Sequence, residues 1–423
     1  MGPVTTDSSS PQPRAFAALR RPGYAPYLAG TMLAMMADSI EHVISYWIIF
    51  EKFHSPALGG YAVISHWLPF LFFSIYSGAL ADRFDSRRII QFGMLLFMLC
   101  SLGWGVLFLT DTLEVWHAVV LLSIHGMAGV LWGPASQLLI HDIVKREQLH
   151  SAVRLMAMAR TLGLLGGPAI GGLMLLAFGP PLGILLNVLI YLPLTLWLWR
   201  APYGPRFRSE PPVAQPEVRG LASILGTLRD LAGNRVVVSM TLLAAAASFF
   251  IGHAYQAQMP EFAADLGHDH AAFHYSMLLT ANAAGALAAG VVLESFGLLR
   301  ARPITAVVLV IFWCLCIGGF ALSNIYALSL GLLFAAGFLN LAYSAMAQTL
   351  VQLHAPDRLR GRVIGLYNTS FHGMRAFSGV TVGMGGSLIG IHWSLALSAA
   401  VLLLIAFGLL VYELRPRLPA AAE

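Results

Sequence analysis

The chain has 423 residues, 58% hydrophobic and 11% charged, with a formal net charge of +5 and a mean hydropathy of +0.74. Soluble domains carry about 25% charged residues, so a water-exposed globule is excluded and lipid must cover much of the surface. The cysteines, Cys100, Cys314 and Cys316, lie in apolar runs and offer neither a disulfide framework nor a metal-ligand spacing.

Residues 1–23 contain Ser, Pro and Arg but no apolar core, so no cleaved signal peptide is expected. At about 20 apolar residues per crossing, the sequence predicts spans at 27–50, 59–80, 88–110, 116–140, 151–178 and 182–200. A second set is predicted at 236–257, 274–298, 303–323, 327–353, 362–389 and 393–413. Residues 201–234 are the long polar stretch between the sets and read as a linker, with a short surface helix predicted at 221–231. The expected architecture is an all-α polytopic membrane protein. Its twelve transmembrane helices form two six-helix bundles, residues 1–200 and 235–423, joined by the cytoplasmic linker 201–234.

Charge sets the expected orientation. Of the Lys and Arg residues, all but Lys52, Arg154, Arg160 and Arg375 fall in the N-terminus, the even-numbered loops or the C-terminus. Both termini are therefore expected in the cytoplasm. The basic balance is topological, and no nucleic-acid partner is expected.

Two motifs stand out. Gly78-Ala79-Leu80-Ala81-Asp82-Arg83-Phe84-Asp85-Ser86-Arg87-Arg88 follows span 2. It combines a small residue for close approach with a carboxylate and arginines that can pair at helix ends. Gly163-Leu164-Leu165-Gly166-Gly167-Pro168-Ala169-Ile170-Gly171-Gly172 lies inside span 5. Glycines spaced by four suit close helix packing, and neighbouring helices can satisfy the backbone group that Pro168 frees. The halves also echo each other: Gln137 to Leu149 matches Gln348 to Leu359, and each leads to a span ending in Gly-Gly.

On these residues the chain resembles the major facilitator superfamily. Gly78, Asp82, Arg83, Arg87 and Arg88 match its loop 2–3 signature, with Asp85 where glycine is commoner. Gly163, Gly167, Pro168, Gly171 and Gly172 match the span-5 signature of exporters and antiporters. Lys145 to Leu149, Pro356 to Arg362 and Asn187 are similar to the enterobactin-exporter and macrolide-efflux branch. The span-4 arginine of many proton-coupled drug exporters is replaced by Leu122, although His125-Gly126 fits the pair that follows it. The resemblance implies a major facilitator fold that rocks two bundles about a central site.

Charges at membrane depth are costly and mark function. Asp38, Glu41, His42 and Ser45 share one face of span 1 at i, i+3, i+4 and i+7. Asn368, His372 and Arg375 share one face of span 11; Arg160 and His253 lie in spans 5 and 7. Asp38 and Glu41 suit proton or cation exchange facing the cavity; the competing reading is an ion pair with Arg160 or Arg375. The two arginines suit a carboxylate or catecholate of the substrate. Asp38, His42, His253 and His372 together suit a divalent transition metal.

The expected function is secondary active export of a small molecule, siderophore-like or amphiphilic and drug-like, by proton-coupled antiport. The alternative is a divalent transition-metal (iron-type) exporter. No cofactor is expected beyond protons as coupling ion. The expected partners are the small-molecule substrate and the lipid bilayer, in a monomer of the bacterial inner membrane. No HExxH, GxSxG or phosphate loop occurs, so an enzyme is not expected.

Overall fold

The computed structural model describes residues 16–204, 233–267, 270–296, 302–356 and 359–415. Most of the linker, including the helix predicted at 221–231, lies outside the described residues. The first half holds α1 (Tyr24–Phe53), α2 (Pro56–Arg83), α3 (Ser86–Leu109), α4 (Val115–Ile143) and α5 (Leu149–Arg200). Although α5 is one helix by hydrogen bonding, it breaks at Gly179, where φ is 72°. Spans 5 and 6 meet there, inside the gap predicted between 178 and 182.

The second half holds α6 (Arg235–Phe250), α7 (Ala254–Ala257), α8 (Met259–Asp265), α9 (Ala271–Phe296), α10 (Pro303–Leu322) and α11 (Tyr326–His354). It continues with α12 (Arg360–Asn368), α13 (Arg375–Ser378), α14 (Gly385–Ile389) and α15 (Ile391–Leu414). The uninterrupted span predicted at 236–257 is instead broken after Phe250, where Gly252 adopts φ 47°. The span predicted at 362–389 is likewise not one regular helix. Residues Thr369–Gly373 and Gly379–Met384 wind as π segments on either side of α13. Such bulges recur at functional sites because they re-aim side chains within a helix.

The helix starts are written locally. Ser55 accepts from the Leu58 amide ahead of α2, Asp85 accepts from the Arg87 amide ahead of α3, and Asn234 accepts from the Val237 amide ahead of α6. Each satisfies one of the orphan donors of a first turn.

Packing follows glycine and proline. Along α5, a Cβ on Gly163 would lie 2.5 Å from the Met32 carbonyl oxygen, one on Gly167 would strike Ser39, and one on Gly171 would lie 3.1 Å from Val43 Cβ. These three positions, four apart, seat span 5 against α1 backbone to backbone. Gly172 faces the other half, where a Cβ would lie 2.7 Å from Ser276 Cβ on α9. Pro168 removes the donor for the Leu164 carbonyl, and Ser39 Oγ donates to that oxygen at 3.2 Å. Pro134 does the same to Val130 in α4, whose carbonyl accepts from Ser77 Oγ at 2.6 Å.

In the first half α2 pairs with α4 and α3 with both α4 and α5; in the second, α9 pairs with α11 and α10 with both α11 and α15. Glycine makes the corresponding approach in each half. Gly126 of α4 lies against the Ser65 carbonyl of α2, and Gly337 of α11 lies against the Asn282 carbonyl of α9. Outward faces are apolar: Leu173 is 65% exposed, Leu196 62% and Leu404 70%. On helices long and apolar enough to cross a membrane, that surface is the one lipid covers.

The halves meet near the α1–α2 turn. Gly60 of α2 lies directly against Gly379 and Gly383. Gln258 Nε2 donates to the Pro56 carbonyl at 2.9 Å, and Tyr275 Oη donates to the Val43 carbonyl at 2.8 Å. Tyr275 also stacks on Trp47 at 5.7 Å.

Candidate functional site

Between the halves lies a cavity of about 550 Å³. From the first half, Asp38, His66, Trp67, Trp132, Gln137 and Arg160 line it; from the second, Asn368, Thr369 and His372 do.

At its head the two span-1 carboxylates share one imidazole. His125 Nε2 lies 3.0 Å from Asp38 Oδ1, and His125 Nδ1 lies 2.9 Å from Glu41 Oε1. Glu41 is 1% exposed, Asp38 6% and His125 4%. Ser101 Oγ donates to the other Glu41 oxygen at 2.6 Å, and Asn187 Nδ2 donates to Ser101 Oγ at 3.3 Å and to the Ala37 carbonyl at 2.9 Å. Spans 1, 3, 4 and 6 thus converge on Glu41. The competing reading, an ion pair of Asp38 or Glu41 with Arg160 or Arg375, is not met among the described residues. His125 takes that place, because the carboxylate face of α1 turns toward α4.

His42 and His66 complete the cluster. His42 Nδ1 lies 2.7 Å from the Asp38 carbonyl oxygen. The His42 ring is 4.7 Å from His66 and 4.8 Å from His125, centre to centre. The ligand atoms of Asp38, His42, His66 and His125 all lie within 4.8 Å of one another. The metal set expected from sequence, Asp38, His42, His253 and His372, is therefore not assembled. His253 and His372 gather instead around Trp67, edge-on at 5.9 Å and stacked at 5.6 Å respectively. Sequence reasoning misses His66 and His125 as ligands. Both interrupt apolar runs at membrane depth, and that is the signal that could have found them.

The arginines rest on aromatic faces. Arg160 lies over Trp132 at 5.2 Å, while Arg375 lies over Trp67 at 4.8 Å and over Phe371 at 4.3 Å. Arg375 is 9% exposed, and among the described residues neither arginine forms an ion pair with a carboxylate. A guanidinium held on aromatic faces keeps its donors for an anionic guest.

In the loop 2–3 signature, the Asp82 side chain and the surroundings of Gly78 lie outside what is described. Arg83 is exposed. Asp85 caps α3 and pairs with Arg87, Nη2 to Oδ2, at 2.6 Å; Arg87 also donates to the Ala201 carbonyl at the end of span 6. Burial pushes the Asp85 carboxyl up, but the Arg87 hydrogen bonds and the Arg88 charge outweigh it and hold the group below its ordinary value. Arg88 donates to Gln91 at 2.8 Å and lies over Trp199.

Two helical bundles around one central cavity, with buried ionisable groups at its head, define a secondary transporter of the major facilitator class. Residues 13–422 match the family of transmembrane secretion effectors, and the chain belongs to that family of major facilitator transporters. It is therefore a multi-pass membrane transporter and not an enzyme. It is 20% identical over 170 residues to the staphyloferrin A transporter of Staphylococcus aureus, covering 39% of this chain and 42% of that one. It is 26% identical over 160 residues to YfiS, an uncharacterised MFS-type transporter of Bacillus subtilis, covering 37% and 36%. The matches span less than half the length of these relatives. Among solved structures, a point mutant of the nucleoside transporter NupG superposes with a TM-score of 0.71 at 11% identity, covering 93% of this chain and 100% of that one. An inward-facing bacterial homologue of the human lysosomal transporter Spinster gives 0.67 at 15%, covering 92% and 96%. These likenesses establish the fold.

Proposed function

We propose that this chain is a proton-coupled exporter of the bacterial inner membrane that moves a small amphiphilic or siderophore-like molecule out of the cytoplasm. The observation that carries this reading is the central cavity, lined by both halves, with the buried Asp38–His125–Glu41 network at its head. Two carboxylates bridged by an imidazole have several arrangements for a proton, and Asp38 opens onto the cavity where substrate would compete with it. The aromatic and cationic walls, Trp67, Trp132 and Arg160, with Arg375 behind Trp67, suit a guest that is both apolar and anionic. With both termini in the cytoplasm, the contacts near the α1–α2 turn would seal the outer side and leave the cavity open inward. Rocking the halves about these contacts would deliver the guest outward. The similarity to a staphyloferrin A transporter supports the siderophore class of cargo.

The test begins with a thermal-shift screen of siderophores and amphiphiles, since a ligand of the folded state raises its stability. A hit is then followed in proteoliposomes under an imposed pH gradient. Gradient-driven movement that is lost in Asp38→Asn and Glu41→Gln is expected. Movement indifferent to the gradient and to both variants would defeat the proton-coupled reading.

A further inference from the structure

We infer that Asp38, His42, His66 and His125 form a binding site for a divalent first-row transition-metal ion at the head of the cavity. The site goes beyond the export reading and does not depend on it.

Geometry carries the inference in three parts. First, one ligand atom from each residue lies within 4.8 Å of the others. Four donors about 2.0–2.1 Å from a tetrahedral ion are separated by about 3.4 Å. A contraction of little more than an ångström closes the set, within the reach of side-chain rotation.

Second, two of the three imidazoles are held as metal-binding histidines are. Such rings donate one N–H to a carboxylate or backbone carbonyl and offer the other nitrogen's lone pair to the ion. His42 Nδ1 meets the Asp38 carbonyl at 2.7 Å and His125 Nδ1 meets Glu41 at 2.9 Å. In each ring Nε2 is left as the ligand atom. Glu41 is thus a positioning residue, itself held by Ser101 at 2.6 Å. Third, His66 Nδ1 is buried without a hydrogen-bond partner, whereas Asp38 Oδ1 and His125 Nε2 lie 3.0 Å from each other. A protonated His125 bridging Asp38 and Glu41 would account for that pair and leaves His66 unexplained.

The fold builds the cluster deliberately at one contact. A Cβ on Gly126 would lie 3.2 Å from His66 Cα and against the Ser65 carbonyl. The glycine beside His125 is what admits the α2 backbone and brings His66 alongside. Three imidazoles and one carboxylate suit manganese, iron, cobalt, nickel or zinc, and not magnesium or calcium, which take oxygen ligands.

The test is titration of the purified full-length protein in detergent with Co²⁺, Zn²⁺ and Mg²⁺, following Co²⁺ by its visible absorption. One saturable Co²⁺ site per chain is expected, displaced by Zn²⁺ and untouched by Mg²⁺. His66→Ala and His42→Ala should each weaken binding at least about tenfold, and Glu41→Gln by about 10–100-fold. His253→Ala and His372→Ala should leave it unchanged. Absence of saturable Co²⁺ binding to the wild type overturns the inference without any variant. So does wild-type affinity in folded His66→Ala or His42→Ala, with folding checked by size exclusion and thermal unfolding. Loss of binding in His372→Ala moves the site elsewhere and also overturns it. Binding is read without a gradient, so failed transport with intact metal binding counts against the export reading alone. The reverse result counts against the metal site alone.

Discussion

Ser39 and Leu164 are joined by a hydrogen bond that Pro168 makes necessary. The serine hydroxyl on α1 donates at 3.2 Å to the carbonyl oxygen that the proline leaves without its helical donor. One turn on, Gly167 presses directly on the Ser39 side chain. The span-5 signature is therefore a docking surface for span 1, the helix that carries Asp38 and Glu41. Interhelical hydrogen bonds in membranes are worth about 0.6 kcal/mol on average, so Ser39→Ala should lower stability only slightly, as read by thermal unfolding in detergent.

Gly167 and Gly166 should differ sharply although they are neighbours. A Cβ at Gly167 meets Ser39, whereas one at Gly166 meets nothing within 4 Å. Gly167→Val should cost about 1–3 kcal/mol by overpacking, while Gly166→Ala should be neutral or stabilising by up to about 1 kcal/mol. Unfolding temperatures of the two variants check this; equal losses would refute the docking role.

Removal of the shared imidazole should be costly. Without His125, Glu41 stands buried with no ion-pair partner among the described residues, and Asp38 keeps only His42, at 4.0 Å. Breaking a buried pair by deleting one partner costs about 3–5 kcal/mol, so His125→Ala should unfold well below the wild type. Adding Glu41→Gln should recover part of the loss, because one uncompensated charge is removed. Strict additivity of the two losses would show that they do not interact.

Asp85 should make stability depend on acid. Its carboxyl sits below the ordinary value in the folded protein because the Arg87 and Arg88 interactions outweigh burial. A depressed folded-state value contributes stability that is fully present above the unfolded value, about 3.9. That contribution is lost as pH falls through the folded value. Asp85→Asn, which keeps a cap for α3, should be less stable than the wild type at neutral pH. The difference should vanish in acid. A gap that is constant across pH would show that capping, not charge, is what Asp85 supplies.

The Gly60–Gly383 contact should control which side of the transporter is open. Their backbones touch across the halves near the α1–α2 turn, leaving no room for a side chain. Gly383→Leu should hold that side apart and shift the population toward the state open there. Spin labels at His54 and Glu261 should report longer distances in the variant. An unchanged distribution in folded protein would show that this contact is not the seal.

The long apolar helices were legible because each crossing needs a long apolar run, a property the chain states locally. So was the carboxylate face of span 1, which follows from helical periodicity alone, and so were the glycines of span 5, whose spacing announces a close neighbour. The break at Gly252 and the π segments around Arg375 were not legible, since both arise where helices already packed force the backbone to yield. Nor was the partner of Asp38 and Glu41. A histidine in an apolar run reads the same whether it faces lipid, a neighbouring helix or a cavity. Sequence position placed His253 and His372 inside predicted spans, but that property is shared by residues of every span. The approach of Gly126 to Ser65, and of α1 to α4, brings His66 and His125 to the carboxylates and leaves His253 and His372 against Trp67. Local chemistry thus determined the membrane, the helices and the charged face; which side chains meet across that face was decided by backbone contacts between residues far apart in the chain.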